Sequence, residues 1–116
     1  MPSYLAPPLQ PVQIHALYPG NQIALVNNAA TDTGVTTTMQ FVVGSIAGQQ
    51  QRVTFVNSTN QAGQLNFAAT DGPLNYEPVS GGAVGAAQSS VLNLSPGYYN
   101  VTFAAAPTSG SFIAAA

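Results

Sequence analysis

The stretch SVLNLSPGYYNVTF, residues 90–103, decides the fold. Two runs of alternating side chains, residues 90–94 and 98–103, flank Ser95-Pro96-Gly97. Proline at the second and glycine at the third position of a turn is a type II signature, because glycine supplies the φ > 0 residue there. The stretch therefore reads as a tight antiparallel hairpin. Successive side chains on a strand point to opposite faces, so Tyr99, Val101 and Phe103 share one face and Tyr98 takes the other. One of the two adjacent tyrosines is thus assigned to the core.

The same two-residue period extends outward. Residues 22–27 (QIALVN), 39–45 (MQFVVGS), 52–58 (RVTFVNS) and 64–68 (QLNFA) read as strands, and residues 111–115 as a final one. In 52–58, Val53 and Phe55 face one side while Arg52, Thr54 and Val56 face the other; in 64–68, Leu65 and Phe67 point inward. Residues 29–38 and Asp71-Gly72-Pro73 read as turns or loops. Residues 81–87 (GGAVGAA) carry too much glycine for a helix, and no segment shows a 3.6-residue period. Seven or eight short strands with turn signals about every ten residues indicate an all-β fold. We expect an antiparallel β-sandwich, with the jelly roll as one form of it, over residues 20–116 as a single domain. Strand order is left open.

Residues 1–19 read differently. Pro2, Pro7, Pro8, Pro11 and Pro19 exclude a helix and a central strand, and indicate an extended, partly polyproline arm. The arm also carries apolar residues that need cover. Tyr4, Leu5, Pro7, Pro8, Leu9, Val12 and Ile14 are its candidate partner-binding residues. The arm either folds back over its own domain or reaches a neighbouring subunit.

Composition narrows the function. Only Asp32, Arg52, Asp71 and Glu77 carry a formal charge, 3% of the 116 residues, where an ordinary domain has about 25%. Gln, Asn, Thr and Ser take the places of Lys and Glu. A surface of neutral amides and hydroxyls is easy to bury, since no ion has to leave water. Leu, Ile, Val and Phe make up 28 residues, enough for a folded core. The chain has no Cys, and so no disulfide or thiolate chemistry. With one Arg and no Lys it has no means of neutralising phosphates, which argues against nucleic acid and against an anionic membrane. Polar residues, Pro or Gly interrupt every apolar run, so no membrane-spanning helix is expected. No targeting segment is read at Met1-Pro2-Ser3, and synthesis is expected in a host cytoplasm.

Catalytic chemistry finds little to work with. Asp32 and Asp71 sit in turn contexts, TDTG and TDGP, where Asp bonds nearby backbone. His15 is the only histidine and has no clustered ligands around it, so neither a metal site nor a Ser-His-Asp triad is indicated. No cofactor is expected, and the chain reads as a non-enzyme. Asn57, Asn93 and Asn100 match the glycosylation pattern, as chance allows in a chain this rich in Asn, Ser and Thr.

The arm PSYLAPPLQPVQ, the cysteine-free β body and the closing strand SGSFIAAA together resemble the small capsid decoration or cement proteins of tailed bacteriophages. That resemblance implies a virion protein on the capsid surface. It would bind the major capsid protein and copies of itself as a homo-oligomer, clamping joints between shell subunits. The alternative is a carbohydrate-binding or adhesion module of a virion fibre. There Tyr18, Tyr76, Tyr98 and Tyr99 would stack on sugar rings while Asn and Gln bond hydroxyls.

Overall fold

Alternation of buried and exposed side chains carries through from sequence to structure. In the computed structural model, which describes residues 15–44, 48–68 and 75–116, Gln51, Val53, Phe55 and Asn57 are buried while Arg52 and Val56 are exposed. Nine strands are present among the described residues: β1 (His15–Leu17), β2 (Gln22–Val26), β3 (Thr38–Val43), β4 (Gln51–Asn57), β5 (Gly63–Ala68), β6 (Tyr76–Val84), β7 (Gln88–Leu94), β8 (Gly97–Phe103) and β9 (Phe112–Ala115). They form a five-stranded sheet, β1-β3-β8-β5-β6, and a four-stranded sheet, β2-β9-β4-β7. The chain is an all-β sandwich. Every pairing is antiparallel except β1 with β3.

The expected hairpin at residues 95–97 does not form. β7 pairs with β4 in the four-stranded sheet, whereas β8 lies at the centre of the five-stranded one. Gly97 has φ +152, far from the roughly +80 of a type II turn. The segment is a crossing between sheets. The Tyr99 hydroxyl pins it by donating to the Ser95 carbonyl at 2.6 Å, a device used at chain corners of other β-sandwiches. Local pattern could not separate the two outcomes. Leu94, Tyr99, Val101 and Phe103 reach the core whether their strands lie side by side or face each other.

Two further strands went unread. β6 contains Pro78, Gly81 and Gly82, which argue against a strand by composition. It is tolerated because it lies at the sheet edge and carries a bulge. Val79, Ser80, Gly81 and Gly82 fall between the pairs Asn66–Pro78 and Gln64–Ala83, opposite Leu65 alone. β1 falls inside the expected arm. Residues 1–14 lie outside the described residues, but Leu17 of β1 is fully buried beside Val43. Residues 15–17, placed in the arm by the sequence reading, thus belong to the five-stranded sheet.

The core lies between the sheets. Five phenylalanines and Tyr99 form a continuous aromatic path from Phe67 to Tyr99, Phe41, Phe55, Phe112 and Phe103. Their ring centroids are 5.2–6.1 Å apart. Such pairs add about 0.5–1.5 kcal/mol each beyond area burial. One end of the core is polar. Asn57, only 1% exposed, donates to the Gln61 and Val84 carbonyls and accepts from the Thr59 amide and hydroxyl. β9 sits between β2 and β4, so a late segment of the chain completes the middle of a sheet.

Candidate functional site

The seven arm residues named as partner contacts, Tyr4, Leu5, Pro7, Pro8, Leu9, Val12 and Ile14, lie outside the described residues. What the fold does place is a pair of outer faces and their edges. The large apolar side chains most open to solvent divide between those faces. Val56 and Val91 stand on the four-stranded sheet, and Tyr98 and Tyr18 on the five-stranded one.

On the four-stranded sheet the registers align Ala24, Ile113, Val56 and Ser89 in one row. Gln22, Ala115, Thr54 and Val91 form the next, and Arg52 with Asn93 a third. The result is an aliphatic face with one cation at its end. Arg52, expected to pair with a carboxylate or to mark a solvent-facing strand edge, is exposed but stands on β4, an inner strand of its sheet.

The sheet edges differ in how they are protected. β1 is three residues long, β6 carries Pro78 and a bulge, and β2 has a bulge between Ala24 and Val26. Short length, proline and bulges all blunt an edge against further pairing. β7 has none of these. It runs seven residues, QSSVLNL, in unbroken register with β4, without Pro and without a charge. On the side away from β4 its alternate N–H and C=O groups meet no strand among the described residues. Sequence reading identified this strand but not its edge position, which depends on strand order.

The outer face of the five-stranded sheet has another character. Ala16, Val42, Tyr98, Ala68 and Tyr76 share one row, the β5–β8 register being continued one residue past Phe67–Tyr99. Gln40, Asn100, Asn66 and Pro78 form the second row, and Thr38, Thr102, Gln64 and Ala83 the third. No residue of the three rows is charged. Asn66 Nδ2 donates to Asn100 Oδ1 at 2.8 Å and to Thr102 Oγ1 at 3.2 Å, locking the middle row. Tyr18 joins this face. Its ring lies where a side chain on Gly44 would stand, so only glycine permits the approach. Partial burial raises the Tyr76 pKa above 10.0, with the nearby Tyr98 hydroxyl adding to the rise. Of the adjacent pair, Tyr99 is the one in the core, 3% exposed, and burial raises its pKa as well.

Two clefts lie among the described residues. One, of about 400 Å³, opens between the β6 and β7 edges, with Phe67, Leu94 and Tyr99 in its wall and Glu77, Gln50 and Asn93 among its polar groups. The other, of about 380 Å³, brings together His15 and Asp32 with Met39 and Val35 but no serine. Asp32 there accepts a hydrogen bond from the Asn28 amide at 2.9 Å, the turn role read from its sequence. Asp71 lies outside the described residues. Among the described residues no three His, Cys, Asp or Glu cluster as metal ligands would. No helix among them is long and apolar enough to cross a membrane. Of the glycosylation-pattern residues, Asn57 and Asn100 are buried.

No family model and no curated protein matches the sequence. Among solved structures, the pre-peptidase C-terminal domain of a collagenase from Bacillus anthracis is similar to this chain at 12% identity and a TM-score of 0.41. The match covers 90% of this chain and 94% of that one.

Proposed function

We propose that the chain is a non-enzymatic structural module of a larger particle, working by having its surface covered. It binds copies of itself and the subunits of a protein shell, in the manner of a capsid decoration protein on a virion. The observation that supports this reading best is the bare β7 edge. A seven-residue, uncharged edge strand in unbroken register invites further pairing, and native monomers usually guard such edges with charge or proline. Here the adjoining face adds Val91, Val56 and Ile113, an aliphatic strip continuous with that edge. Covering both removes apolar area from water without stripping an ion of its hydration.

Two measurements test the reading. Mass spectrometry and imaging of purified particles should find the chain at a fixed copy number. Deleting residues 1–12 should leave the β domain folded while abolishing its incorporation. A chain absent from particles and monomeric at high concentration would sink the proposal, and normal incorporation of the truncated chain would remove the arm from it.

A further inference from the structure

We infer that the outer face of the five-stranded sheet is a binding platform for a neutral oligosaccharide. This goes beyond the structural role and rests on the other face of the molecule. Tyr98 and Tyr76 stand on either side of Ala68, two strand spacings or about 9.5 Å apart. Tyr18 lies over Gly44 at the same end of the sheet. An aromatic ring offers a flat apolar surface with a polar tip, which suits the C–H face and hydroxyl rim of a sugar.

The rows beside the tyrosines define the ligand's chemistry. A hydroxyl both donates and accepts; so does an amide, whereas a carboxylate only accepts and an ammonium only donates. Asn66 and Asn100 are buried and lock the surface from beneath, while the more open Gln40 and Gln64 offer amides and Thr38 and Thr102 hydroxyls. The Asn66–Asn100 and Asn66–Thr102 bonds hold that surface in place before any ligand arrives, which lowers the ordering cost of binding. With no cation on the face, an anionic glycan or phosphate has nothing to pair with. A protein partner would have to match two polar rows at fixed positions, while a polyol brings a hydroxyl at every ring. The rows of the other sheet carry Arg52 and no aromatic ring.

The test uses the full chain on an array of neutral hexose and N-acetylhexosamine oligosaccharides, followed by titration calorimetry with the best binder. Saturable binding is expected. Tyr98→Ala and Tyr76→Ala should each weaken it about tenfold. Tyr98→Phe, which keeps the ring and the packing, should stay within about threefold of the parent. Val91→Ser, on the opposite sheet, should leave binding unchanged. The inference is overturned if no neutral oligosaccharide binds saturably, or if both alanine variants bind as the parent does. It is equally overturned if Tyr98→Ala dissociates a self-associated form, since the occupant is then a second copy.

Discussion

Tyr99 and Asn57 show how single side chains hold this sandwich together. Tyr99→Phe deletes the hydroxyl that donates to Ser95, and should cost about 1 kcal/mol in urea unfolding at neutral pH. The same substitution alters alkaline behaviour. Burial raises the Tyr99 pKa above 10.0, so above pH 10 the unfolded chain sheds this proton while the folded chain still holds it. Its contribution is complete below pH 10 and is lost as pH climbs through the raised folded value. Unfolding midpoints of the parent should therefore fall above pH 10, and those of Tyr99→Phe should fall less steeply. Asn57→Ala removes four hydrogen bonds at a position 1% exposed, and strands the Val84 carbonyl and the Thr59 amide. A loss of about 3 kcal/mol is expected by equilibrium unfolding, with the fold otherwise retained.

At the level of elements, β7 is the strand whose setting matters most. Val91→Lys places a charge on its exposed edge, which is how natural sheets discourage pairing. Because Val91 is 48% exposed, stability should stay within about 0.5 kcal/mol of the parent. Self-association, followed by sedimentation, should weaken about tenfold or more. Alternation along β4, β5 and β8 was legible because each strand buries one face: it grouped Val53 with Phe55, and Tyr99 with Val101 and Phe103, and it put Leu65 inside. It also separated Tyr98 from Tyr99. Other elements were hidden for physical reasons. β6 is read against its own composition, since edge position and a bulge rescue Pro78 and Gly81. Pairing partners are non-local, so neither the sheet crossing at residues 95–97 nor the meeting of Tyr76 with Tyr98 could be found from spacing. The bare edge of β7 follows only from strand order.

Across the whole molecule, the scarcity of charge sets how it responds to its solvent. Surface ion pairs weaken as salt screens them over a Debye length of about 8 Å at physiological ionic strength. An interface built on β7 and the aliphatic strip has no such pairs to lose. Its dissociation constant, measured by sedimentation from low to molar sodium chloride, should not rise, and sodium sulfate should lower it by strengthening apolar burial. A steep loss of association with added salt would instead place Arg52 or a carboxylate in the contact.

The central place of β9 also bears on when the chain becomes competent. During synthesis, at about 5–20 residues per second, β2 and β4 emerge well before the strand that joins them. Until residue 115 has cleared the ribosome, β4 has only β7 beside it, and a two-stranded ribbon is marginally stable in water. The β7 edge is thus set in a finished sheet only once β9 has emerged.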